Sequence, residues 1–151
     1  MYKKILVGID DSQESMNAVK KAIELGKKDN SEVIVFHSVI HHIAEINPSF
    51  SLTPSSGTSM SLLIHEDYIN LGEKLLKEVE SLSKKNDKKI ETRLILDISP
   101  EDFIKKAIKE EHFDLVILGF RGKHSKLREV FLGTIPDRVI NNANCDVLIV
   151  R

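Results

Sequence analysis

The stretch DLVILGFRGKHSKLREVFLGTIP, residues 114–136, decides how this chain is read. An apolar run at 115–118 stops at Gly119, a second glycine follows at Gly122, and after a charged loop come Gly133 and Thr134. Glycines let a backbone bend sharply and bring bare N–H groups close to a ligand. Gly133 and Thr134 then open a helix, and a helix N-terminus favours anions. Strand, glycine loop and helix start together predict a phosphate cradle. They point toward nucleotide binding and leave the reaction open.

Outward from that stretch, strand and helix signals alternate. Residues 5–9 are nearly all apolar, as a strand buried on both faces should be. Asp10, Asp11 and Ser12 follow, and either Asp11 or Ser12 suits a helix cap, Asp11 being preferred. That helix runs to about Lys28, with Val19, Ala22, Ile23 and Gly26 at helical spacing. Residues 33–36 make a second buried strand. Residues 40–60 break the pattern with Pro48, Pro54 and Gly57 among serines and threonines, and read as a flexible insert, either a connector or a partner-docking segment. A long helix then runs to about Lys85, striped by Tyr68, Leu71, Leu75, Val79 and Leu82.

A third strand at 90–96 mixes Glu91 and Arg93 with Ile95 on one face, which suits a sheet edge. Ser99, Pro100, Glu101 and Asp102 are a strong helix start. The fourth strand is 115–118, a short helix spans 135–142, and a fifth strand spans 147–150. The alternation predicts one α/β domain over 1–151, Rossmann-like, with a parallel sheet and right-handed crossovers. Ligands on such sheets bind beyond the carboxyl ends of the strands, at a topological switch point. Asp10 and Gly119 both lie at such ends and share a crevice if strands one and four are neighbours.

Composition narrows the classes. The 151 residues are 41% hydrophobic and 30% charged, an ordinary globular balance, and the formal net charge is -1, so no basic field favours nucleic acid. The lone cysteine, Cys145, fits a cytoplasmic location, and no apolar run approaches the roughly 18 residues that span a bilayer. The apolar segment after Met1 is too short for a signal sequence. His37, His41, His42 and Cys145 lack the matched spacing of a zinc site, and the lysines at 84–85 and 88–89 read as a solvated helix end.

Four segments in order resemble the universal stress protein family over nearly the whole chain: KILVGIDDS at 4–12, HSV at 37–39, DLVILG at 114–119, and LGTIPDRV at 132–139 followed by CDVLIVR at 145–151. The resemblance implies a five-stranded parallel sheet of order 3-2-1-4-5 with helices on both faces, and a homodimer through the C-terminal strand. It implies the ATP-binding subgroup, marked by Gly-x-x-Gly, about nine residues, then Gly-Ser or Gly-Thr. On this pattern Gly119, Gly122, Gly133 and Thr134 hold phosphates, and Ile135 follows them at the helix start. By their charge, Arg121 and Lys123 either add to the phosphate side or are solvated loop residues. Asp10 matches the acid that contacts the ribose or adenine side, and Ser38 stands where a residue contacts adenine through its backbone. ATP, with magnesium, is the implied cofactor.

The chain departs from the family pattern at three places. Ten residues separate Gly122 from Gly133; Ile98 replaces a usual glycine and would narrow the nucleotide pocket; and residues 40–60 match no pattern. A phospho-receiver domain also has acids after strand one and an acid after strand three, as Asp97 is here. Gly119 stands where its hydroxyl residue belongs, and no lysine follows strand five. No Walker loop or Gly-x-Gly-x-x-Gly occurs. No base is assigned for hydrolysis beyond Asp10, so a binding module is expected over a slow ATPase. A dimeric interaction protein without nucleotide is the alternative.

Overall fold

The computed structural model describes residues 1–40, 56–121 and 132–151. Five strands form one parallel sheet: β1 (Lys4–Gly8), β2 (Glu32–Val39), β3 (Glu91–Leu96), β4 (Leu115–Gly119) and β5 (Asp146–Val150). Their order is β3-β2-β1-β4-β5, the expected 3-2-1-4-5. Among the described residues four helices form: α1 (Gln13–Asp29), α2 (Ser56–Lys85), α3 (Pro100–Glu111) and α4 (Thr134–Asn142). The first turn of α2 therefore falls inside the 40–60 stretch, and residues 41–55 lie outside the described residues.

Strand alternation divides the core in two. Ile5, Val7, Val33, Val35, Leu115 and Ile117 face α1 and α2, meeting Ala18, Val19, Ala22 and Ile23 of the first and Leu75, Leu76 and Val79 of the second. Leu6, Ile34, Phe36, Val116 and Leu118 face the opposite side, where Phe103, Ile104 and Ala107 of α3 and Val139 of α4 cover them. Both faces of β1, β2 and β4 are thus dry, which explains their unbroken apolar runs. β3 lies at one edge, as its half-polar alternation predicts, and β5 at the other.

The helix ends follow their capping residues. Ser12, and not Asp11, caps α1: its Oγ accepts the Ser15 N–H at 3.1 Å. Ser12 in turn is held by Asp10, whose carboxylate accepts its N–H at 3.1 Å and its hydroxyl. Asn30 closes α1 in the left-handed region (φ 54°), donating its N–H to the Gly26 carbonyl. Ser99 caps α3, accepting the Asp102 N–H at 3.2 Å with Pro100 in the first turn, and His112 ends it at φ 57°.

Candidate functional site

The strand order makes β1 and β4 neighbours whose following helices lie on opposite faces: α1 after β1, α4 after β4. A parallel sheet opens a crevice beyond the strand ends at such a place. Asp10 leaves the end of β1, Gly119 is the last residue of β4, and α4 begins at Thr134 beyond it. Gly122 lies outside the described residues, as do His41 and His42.

On the β4 side, Phe120 joins the parts. Its N–H donates to the Val150 carbonyl at 2.7 Å, and its own carbonyl accepts the Gly133 N–H at 2.9 Å. The start of α4 is thereby pinned to the ends of β4 and β5. The Gly133 N–H is spent on that bond, so it is not the bare donor expected from the sequence. Gly133 is the N-cap of α4 and supplies no side-chain cap. Its carbonyl accepts the Asp137 N–H at 3.0 Å, and Pro136 has no N–H. The first-turn donors with no acceptor inside the helix are therefore those of Thr134 and Ile135. The exposed Thr134 hydroxyl stands with them. The guanidinium of Arg121 lies 5.3 Å from the Phe120 ring centroid, and that of Arg151 lies 4.3 Å from it.

Gly119 is needed for approach and not for a bend. None of the described glycines has a positive φ. A Cβ at Gly119 would stand 2.9 Å from Glu14 C and 2.9 Å from Ser15 N, so its absence lets the first turn of α1 close onto β4.

On the β1 side, Asp10 is half-buried, and one carboxylate oxygen holds Ser12 while its carbonyl accepts the Ser15 hydroxyl at 2.6 Å. That oxygen supports the start of α1 through Ser12. β2 runs past β1: pairing of the two ends at Gly8 with Phe36, while 37–39 continue against β3. Along a parallel ladder, successive residues address alternate neighbours. Phe36 faces β1, accepting the Ile9 N–H at 3.0 Å, and the Val39 carbonyl faces β3, accepting the Asp97 N–H at 2.9 Å. By that alternation the Ser38 N–H and C=O face the side of β1, beyond its last paired residue. The Ser38 hydroxyl donates to the Ile98 carbonyl, tying β2 to the turn before α3. The Ile98 side chain packs into the core on the α3 and α4 face, so the narrowing expected from the sequence is met by a residue turned into that core.

His37 lies in β2 just past the last residue paired with β1. Its Nδ1 lies 2.8 Å from the Ile9 carbonyl, a bond across the end of β1 that spacing alone does not reveal. Among the described residues, no three His, Cys, Asp or Glu side chains group as a metal site. None of the described helices is long and apolar enough to cross a membrane.

The profile described as "Universal stress protein family" matches residues 1–151. Universal stress protein MJ0531 of Methanocaldococcus jannaschii is 31% identical over 153 residues, covering 100% of this chain and 83% of that protein. Among solved structures, universal stress protein UspA from Lactobacillus plantarum superposes with a TM-score of 0.78 at 20% identity, covering 99% of this chain and 98% of its own. The universal stress protein from Archaeoglobus fulgidus in complex with dAMP gives 0.67 at 18% identity, covering 99% and 98%. A universal stress protein in complex with cAMP gives 0.65 at 22% identity, covering 99% and 97%. The structural likeness speaks for the fold, and the match along the full sequence speaks for descent. The chain belongs to the universal stress protein family.

Proposed function

We propose that this protein is an ATP-binding module that acts as a homodimer in a nucleotide-dependent stress response. The observation that carries the reading is the uncapped start of α4. Thr134 and Ile135 present main-chain donors and one hydroxyl with no capping side chain, and the Phe120 bonds hold them at the end of β4. Such a helix end suits phosphate oxygens. Gly119, Arg121, Gly122 and Gly133 complete the phosphate side, with Gly133 acting as the anchored cap and Gly122 resting on the sequence alone. Asp10 and Ser38 take the ribose and adenine side. Solved relatives that hold dAMP and cAMP support an adenine nucleotide as the ligand class.

Magnesium enters this reading as a companion of the phosphates. A magnesium ion commonly keeps several waters and takes one or two carboxylates plus phosphate oxygens. Asp10, the carboxylate at the end of β1, fits that part without a protein cage. The dimer would form through β5, whose outer edge has no strand beyond it among the described residues.

Calorimetry with ATP, with and without magnesium, tests the reading. Saturable binding, weakened about tenfold by Thr134→Val as one charge-assisted hydrogen bond is lost, is the expected result. Long incubation should release no ADP. A second reading, a dimeric interaction protein without nucleotide, draws on Gly119 and Gly133: packing against α1 and the bond to Phe120 each account for a glycine without any ligand. No heat at millimolar ATP would favour it.

A further inference from the structure

The ladder between β1 and β2 ends in an irregular way. The Ile9 N–H donates to the Phe36 carbonyl at 3.0 Å, one rung past the Gly8–Phe36 pair. In a regular parallel ladder the Ile9 carbonyl would next accept the N–H of Ser38. It meets Nδ1 of His37 instead, at 2.8 Å. A carbonyl only accepts, so Nδ1 carries the proton of this bond. The imidazole thus takes the place of the Ser38 amide and stops the two strands from zipping further.

The ring has a seat prepared for it in α2. A Cβ on Gly72 would stand 2.7 Å from His37 Cδ2 and 2.9 Å from Leu94 Cδ1. Glycine is a poor residue for the interior of a long helix. At this position it makes the room in which the imidazole lies. The ring is therefore held from two sides, by a hydrogen bond to the end of β1 and by packing under α2.

We propose that His37 is a positioning residue that ends the β1–β2 ladder by taking the Ile9 carbonyl, and so keeps the Ser38 main chain available to an adenine edge. The role rests on the nucleotide reading given above. It also fixes Asp10, the next residue after Ile9, at a set span from Ser38. Specificity for the nucleoside end then depends on a side chain that does not itself touch the ligand.

Two measurements on the full chain test this: adenosine affinity by calorimetry, and hydrogen exchange of the Ser38 amide by NMR without ligand. His37→Leu removes the donor. It is expected to weaken adenosine binding about tenfold and to slow Ser38 exchange, because the freed Ile9 carbonyl accepts that amide. His37→Asn places Nδ2 where Nδ1 stood, and is expected to restore most of the affinity and the fast exchange. Gly72→Ala, which crowds the ring from α2, should also weaken adenosine binding although alanine is the better helix former. Equal adenosine affinity in the wild type and His37→Leu, or unchanged Ser38 exchange between them, overturns the proposal. A wild type that binds neither adenosine nor ATP overturns the nucleotide reading, while the exchange comparison still judges the ladder argument.

Discussion

A methyl group on Gly119 would press against the main chain of Glu14 and Ser15, each 2.9 Å away. Main chain cannot swing aside as a flexible side chain can, so Gly119→Ala should cost about 1–3 kcal/mol, read as a lower urea midpoint. The glycine was legible in the sequence, but its reason was not. A sharp bend was expected, whereas its φ is ordinary and the constraint comes from a helix far away in the chain's path around the sheet. The same holds at Ser12. Asp11 and Ser12 both suit a cap by type, and the expected preference for Asp11 is overturned by Asp10, which grips Ser12. Ser12→Ala should cost about 1 kcal/mol in thermal or urea unfolding. Cys145 is half-buried, and burial pushes its thiol up to about 11. Alkylation at neutral pH should accordingly be much slower than for a free cysteine.

Glu111, at the end of α3, ties three elements together. It accepts two bonds from Arg93 of β3, at 2.6 and 3.0 Å, and one from Lys4 of β1 at 3.3 Å. The Arg93 hydrogen bonds hold its carboxyl below the ordinary carboxylate range against the opposing effect of burial, and Lys4 adds to this. A carboxyl depressed by folding stabilises the native state above its unfolded pKa, and that stability is lost as pH falls through the folded value. Stability should therefore drop more steeply on acidification below about pH 5 in the wild type than in Glu111→Gln, on the order of 1 kcal/mol for a partly exposed cluster. Strand and helix positions were largely legible because β1, β2 and β4 are buried on both faces and α1 and α3 carry clear caps. β2 runs on to Val39, past the expected end at Phe36, because the apolar run breaks at His37 and Ser38 while both still pair with β3. Periodicity says nothing of strand order, which came with the family resemblance.

Across the whole molecule, β5 offers its outer edge. Asp146 and Val150 address β4, through the Asp114 carbonyl and the Phe120 N–H, so Val147 and Ile149 present their main-chain groups outward. In the dimeric reading the protein sediments at twice the monomer mass, and Ile149→Pro, which deletes an outward donor, shifts it to monomer. A wild type that sediments as a monomer would remove the dimer from the account. The residues proposed for the phosphate side stand out by type in the sequence; the bonds that make Phe120 an anchor for α4 belong to the assembled sheet and leave no local trace. The opposite end of the sheet carries a second cleft, between Tyr2, His112, Asp114, Cys145 and Asp146, and so provides an internal control. The most direct test is an amide NMR titration with ATP and magnesium. The account predicts saturable shifts at Ser38, Thr134 and Ile135 with the cleft around Cys145 unmoved; no shift at millimolar ATP, or shifts confined to that cleft, would contradict it.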